Sequence, residues 1–187
     1  MTRRTRLVLS VTIAAAVAGL LAAGAVHLTG SKSAGLPAVG QVIPAAQRPL
    51  APDISGTTLT GGHLDIARWR GHPVVINFWG SWCVPCRKEA PVLARVARET
   101  RFLGVRFAGV DIREDPSAGL AFERGYRIPY PSISDPGDLI AGRFGTKAPM
   151  ATPSTYILDA RGRIAWAWFG ATTYSQLELA AIDVARP

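Results

Sequence analysis

Cys83 and Cys86 are the only two cysteines in a chain of 187 residues, and they stand three apart in Trp82-Cys83-Val84-Pro85-Cys86. That spacing places the second sulfur about one helical turn beyond the first, close enough to attack a mixed disulfide formed there. The reactive species is the thiolate, so the question is what would stabilise it. A cysteine at a helix N-terminus meets unpaired N–H groups and the positive end of the helix dipole, which lower its pKa from about 8.5 toward 7 or below. Arg87 and Lys88 add positive charge in the first turn. Cys83 therefore reads as the exposed nucleophile and Cys86 as the resolving thiol, with Pro85 positioned between them. A structural disulfide framework needs more cysteines at wider spacing. A four-ligand zinc site needs partners that His63 and His72 do not supply. Neither a metal nor a cofactor is expected beyond the Cys83–Cys86 pair itself.

The elements around the pair have the order that this chemistry requires. Pro73 to Trp79 is a β-branched and aromatic run, the pattern of a fully buried strand. Pro85 to Arg101 comes next as an amphipathic helix, with Ala90, Leu93, Val96 and Ala97 on one side and a kink expected at Pro91. The cysteines thus sit where a strand hands over to a helix. Farther along, Val105 to Ile112 predicts a second buried strand, and Pro116 to Tyr126 and Leu139 to Phe144 predict short helices. Ser154 to Leu158 and Ile164 to Trp168 flank the turn Asp159-Ala160-Arg161-Gly162 as a hairpin, and Tyr174 to Val184 closes the chain as a helix. Before all of these, Thr57 to Asp65 folds over Gly61-Gly62 as an N-terminal hairpin extension. Strands alternating with helices give an α/β class with a mixed sheet and helices on both faces.

The N-terminus carries a different signal. Met1 to Arg6 is basic, and Leu7 to Val26 then runs without a charge for about 20 residues, the length that crosses a bilayer as a helix. Arg3, Arg4 and Arg6 place the start of the chain on the cytoplasmic side and the residues beyond the apolar run outside. Two readings stay open: residues 7–28 are a retained transmembrane anchor, or a signal segment cleaved near Ala23-Gly24-Ala25. Residues 29–49 have the composition of a flexible linker, so the folded domain is expected over 50–187. The net charge of +8 comes from 21 Lys+Arg against 13 Asp+Glu, but the excess is scattered singly. Without a basic face the charge does not point to nucleic acid.

The stretch Asn77-Phe78-Trp79-Gly80-Ser81-Trp82-Cys83-Val84-Pro85-Cys86-Arg87-Lys88-Glu89-Ala90-Pro91 resembles the active-site segment of the TlpA/ResA-type, membrane-tethered members of the thioredoxin superfamily. The resemblance continues through the strand ending at Asp111, through Pro153 and through the Ile157–Ile164 hairpin. It implies a thioredoxin-like fold in which Pro153 is a cis-proline facing the cysteine loop, with the backbone of Thr152 left free to pair with an extended substrate segment. Trp82 is expected at the rim beside Cys83, and Trp79 in the core. The resemblance also implicates Glu89, one turn past Cys86, in thiol proton handling; the alternative is a solvated first-turn carboxylate held by the helix dipole. Asn77 stands where cytoplasmic thioredoxins carry a buried aspartate, and backbone hydrogen bonds are expected to satisfy it. Asp111, Glu114 and Asp115 read as residues that cap and precede the helix at Pro116.

By the same resemblance the expected activity is reduction of protein disulfides outside the cytoplasm, with apocytochrome c as one substrate class. Such a protein, working as a monomer, would take electrons from a membrane thiol carrier. Thr152 departs from the pattern, because reductants often carry an apolar residue before the cis-proline. A disulfide-forming oxidase or isomerase therefore stands as the alternative. A copper-carrying metallochaperone is the rival outside enzymology, and no histidine comes after the cysteine pair to serve it.

Overall fold

The structure, a computed structural model, describes residues 39–186. The predicted membrane segment 7–28 lies outside them, and no helix among the described residues is long and apolar enough to cross a membrane. The central strand β3 (Val74–Trp79) is buried at every position, as its unbroken apolar run requires. It lies between a parallel partner, β4 (Arg106–Ile112), and an antiparallel one, β6 (Ser154–Leu158). Adding β5 (Ser132–Asp135) beside β4 and β7 (Ile164–Phe169) beside β6 gives a five-stranded mixed sheet ordered β5-β4-β3-β6-β7. A separate antiparallel hairpin of β1 (Ser55–Thr57) and β2 (His63–Asp65) precedes it.

The pleat sends alternate residues of β3 to opposite faces. Val75 packs with Leu93 and Val96 of α1 (Val84–Thr100) and with Leu177 and Ala181 of α4 (Tyr174–Ala185). On the same face, Phe122 of α2 (Pro116–Tyr126) stacks on Trp79 at a centroid distance of 4.5 Å. Val74, Ile76 and Phe78 point the other way, toward Leu64 of the hairpin, Ile140 of the short α3 (Leu139–Arg143) and Phe144. Helices therefore cover both faces unequally, because the second face is closed largely by the hairpin and by the chain that leads into it.

The course of the chain differs from the sequence-based expectation at the sheet's two edges. Residues 39–49, expected as the end of a linker, run along β7: Gly40 and Ile43 donate backbone hydrogen bonds to Ala167 and Ala165, and Ile164 donates to Pro49. Ile43 is buried in the core. Their composition lacks periodicity because their partners come from the sheet edge and not from within the segment. β5, which periodicity does not reveal, pairs with β4 on one side, and on the other Leu59 donates to Ser132 and Thr58 bridges Ile133.

Candidate active site

The α1 helix begins immediately after Cys83, which is its N-cap residue. The Cys83 Sγ accepts from the backbone N–H of Cys86 at 3.1 Å, doing for a thiol what a serine or aspartate usually does at this position. Pro85 occupies the first turn, where a missing N–H costs nothing. Cys83 and Cys86 are joined by a disulfide across a Cα–Cα distance of 5.2 Å. Both are buried in this oxidised form, which corrects the expectation of an exposed Cys83. The carbonyl oxygen of Thr152 covers Cys83, 3.5 Å from its Sγ. As a disulfide sulfur carries no proton, this is a contact; a reduced thiol there could donate to it. The Thr152–Pro153 peptide bond is cis. Trp82 and Val84, on either side, are large apolar side chains exposed at the rim. The Trp82 indole N–H donates to the Ile112 carbonyl at 3.2 Å, which fixes the ring against the end of β4.

Beneath the disulfide lies Glu89, only 2 % exposed. A solvated first-turn carboxylate is thereby excluded. Its Oε1 accepts from Asn77 Nδ2 at 2.8 Å and its Oε2 from the Thr172 backbone N–H at 2.9 Å. Asn77 also donates to Thr155 Oγ1 at 3.0 Å, so its amide is satisfied by side chains on α1 and β6, not by the backbone bonds expected from the sequence. Burial pushes the Glu89 pKa up to about 7, against the two hydrogen bonds, from Thr172 and Asn77, that pull it down. A carboxyl at this value changes charge across the physiological range, one turn along α1 from Cys86. A small cavity lined in part by Asn77, Cys86 and Tyr130 opens beside them.

This arrangement is a redox centre built on two sulfurs, and the comparisons with known proteins agree. Residues 48–167 match the AhpC/TSA family. The thiol-disulfide oxidoreductase ResA of Bacillus anthracis is 31% identical over 128 residues, covering 68% of this chain and 72% of the relative. The Bacillus subtilis (strain 168) ResA is 26% identical over 127 residues, covering 68% and 69%. The chain belongs to the AhpC/TSA family and is of the ResA type. Among solved structures, a DsbF homologue from Corynebacterium diphtheriae superposes with a TM-score of 0.72 at 27% identity, covering 80% of this chain and 97% of the other. A secreted thiol-disulfide isomerase from Corynebacterium glutamicum gives 0.73 at 26%, covering 78% and 90%. The ResA-type chain is accordingly a thiol–disulfide oxidoreductase of the thioredoxin superfamily.

Several side chains of this ResA-type site escape sequence reasoning. Thr172 acts through its backbone N–H, which leaves no trace in residue type. Glu114, expected to precede a helix, instead accepts from both the backbone N–H and the hydroxyl of Ser81, two residues before Cys83. Of the three acids in that stretch only Asp115 caps α2, accepting from the Ser117 N–H at 2.8 Å. Asp111 is 1 % exposed, with neither oxygen hydrogen-bonded. Burial first, then the proximity of the Glu114 carboxylate and the charge of Glu123, push its pKa up to about 9. Among the described residues, no group of three or more His, Cys, Asp or Glu is arranged to hold a metal ion.

Proposed function

We propose that the protein reduces disulfides of extended polypeptide substrates outside the cytoplasm, with Cys83 as nucleophile and Cys86 as resolving thiol. The observation that carries this reading is the position of Cys83 Sγ, which caps α1 and lies 3.5 Å from the Thr152 carbonyl. In the dithiol form the Cys83 thiolate attacks one sulfur of a substrate disulfide. The substrate S–S bond breaks, a mixed disulfide forms, and one substrate thiolate leaves. Cys86, as thiolate, then attacks Cys83 Sγ, restoring the Cys83–Cys86 bond and releasing the second thiolate. Two electrons have passed to the substrate, and a membrane thiol carrier returns the protein to the dithiol.

Glu89 takes the Cys86 proton as that sulfur becomes a nucleophile, a role suited to a carboxyl poised near neutral pH. Thr152 and Pro153 seat the substrate segment, Trp82 shapes the rim, and Pro85 holds the spacing of the two sulfurs. The uncharged run at Leu7–Val26 and the likeness to the secreted Corynebacterium glutamicum isomerase support an extracytoplasmic domain, held at the membrane by residues 7–28 or released by cleavage. Apocytochrome c is the substrate class favoured by the ResA resemblance, with the protein acting as a monomer. The oxidase or isomerase reading is favoured by one observation, that the residue whose carbonyl lies against Cys83 is a threonine, and by the likeness to the Corynebacterium glutamicum isomerase.

The equilibrium reduction potential of the Cys83–Cys86 pair decides direction. A value near or below about −230 mV is expected for a reductant, whereas one above about −180 mV would make the protein a donor of disulfides and overturn the reduction reading. Cys83→Ser is expected to abolish turnover, and Cys86→Ser to trap the mixed disulfide as a species resolved on a non-reducing gel.

A further inference from the structure

Two residues on the exposed flank of Cys83 hold backbone conformations that side chains disfavour. Arg113, just past the end of β4, has φ 57°, and Asp138, at the start of α3, has φ 55°. Such left-handed residues carry a cost that persists only where the surroundings enforce it, and they concentrate at functional sites. Here the two face each other: Arg113 Nε pairs with Asp138 Oδ2 at 2.8 Å. The same guanidinium donates from Nη2 to Thr152 Oγ1 at a long 3.3 Å and lies 5.4 Å from the centre of the Trp82 ring. One side chain therefore touches both walls of the reactive sulfur, the rim tryptophan and the residue before Pro153. It does so from solvent, with about half of its surface exposed (54%). Beside it opens a cleft of about 230 Å³ lined by Ile112, Asp138, Ala141, Ala148, Ala151 and Thr152.

We propose that Arg113 is a specificity-determining residue that receives an acidic side chain flanking the substrate cysteine. This rests on the reading that an extended substrate lies along Thr152. A polypeptide seated there passes the guanidinium on its way to Cys83. Arginine has five N–H donors in a fixed fork; the bonds to Asp138 and Thr152 use two of them, and Arg113 itself lines the cleft. A substrate carboxylate would exchange the long bond to a neutral hydroxyl for one in which donor and acceptor are both charged. Of the nearby carboxylates, Asp138 already pairs with Arg113 and competes with an incoming one, whereas Glu114 is engaged by Ser81. Arg87, which donates to the Ser81 carbonyl, and the exposed Lys88 keep the remaining rim cationic, so a basic substrate residue is disfavoured from that side as well.

The test uses the reduced full-length protein and three disulfide-bonded peptides that differ only in the residue next to the cysteine: Asp, Asn or Lys. The wild type is expected to exchange with the Asp peptide about fivefold faster in kcat/KM than with the Lys peptide, the scale of one exposed ion pair. Arg113→Asn, chosen because asparagine tolerates a positive φ, should lower that ratio at least about twofold, with Arg87 and Lys88 holding the remainder. Asp138→Asn, which removes the competing carboxylate and suits its own positive φ, should raise the ratio above wild type. A wild-type ratio near one, an Arg113→Asn ratio unchanged from wild type, or a ratio lowered by Asp138→Asn would each overturn the proposal. Failure to exchange with any of the three peptides would instead overturn the substrate reading, and this inference with it.

Discussion

Glu89 and Asp111 are both carboxyl groups buried on the helix-covered face of the sheet beneath the disulfide, yet the fold treats them in opposite ways. Glu89, on the side of β6 and α4, spends both oxygens on donors from Asn77 and Thr172. Asp111, on the side of β4 and α2, has neither oxygen bonded, and Gly119 presses so close that a Cβ there would collide with its Oδ2. Burial raises the pKa of both, but hydrogen bonds hold Glu89 near neutrality while neighbouring carboxylates drive Asp111 further up. The difference separates a group that can ionise during turnover from one that stays protonated at neutral pH. Desolvation alone does not place a carboxyl near neutrality. The donors that partly offset it set the working range.

The largest effect should come from removing the bonded carboxyl. At pH 5, Glu89→Ala strands two buried donors and leaves a void, and should cost about 3 kcal/mol in urea unfolding. Asp111→Asn, which removes no bond, should cost less than about 1 kcal/mol; equal costs would break the comparison. Next in size is the pH dependence. The native state keeps the Glu89 proton up to about pH 7 while the unfolded chain releases it near 4.5. Stability from this group is therefore complete at low pH and falls by about 3 kcal/mol as pH rises through 7. Glu89→Gln should flatten that fall. Asp111→Asn should flatten a decline that starts near 3.8 and, unlike that of Glu89, continues above pH 7 toward 9. Gly119→Ala should cost about 1–3 kcal/mol by driving a methyl into the Asp111 carboxyl. A double-mutant cycle with Asp111→Ala should recover most of that cost, and additivity would argue that the contact is not tight. The smallest effect is chemical: Glu89→Gln should displace the pH profile of thiol alkylation by about one unit, and Asp111→Asn should not.

Much of this was legible in the sequence because the reactive pair carries its own context. A buried apolar run leading into Trp-Cys-x-x-Cys and an amphipathic helix leaves little freedom in where the sulfurs lie, and β3 and α1 run within one residue of where the pattern places them. The helix at Pro116–Tyr126 was equally plain, since Asp115 and Pro116 mark its start. β5 was not, because Ser-Ile-Ser-Asp has no apolar alternation, and its burial comes from β4 and the 58–59 segment. The surroundings of Glu89 were hidden for a related reason: Thr172 reaches it from 83 positions away through backbone alone, and Thr155 bonds its partner Asn77 from 78 positions away. Arg113 could be read only as a residue after a strand; its partners Thr152 and Asp138 become neighbours only when β6 and α3 are in place.

The two outer strands of the sheet carry a consequence for how the protein keeps company with its substrates. Along β7 the chain from Gly40 to Ala51 supplies backbone partners, and along β5 the residues Thr58 and Leu59 do the same. A protein that handles unfolded or partly oxidised chains meets sticky, extended segments continually, and a bare strand edge would recruit them into stacked sheets. Here the central sheet offers them no such template at either end. On the substrate reading proposed above, an incoming chain would meet instead only the short stretch before Pro153, beside the disulfide.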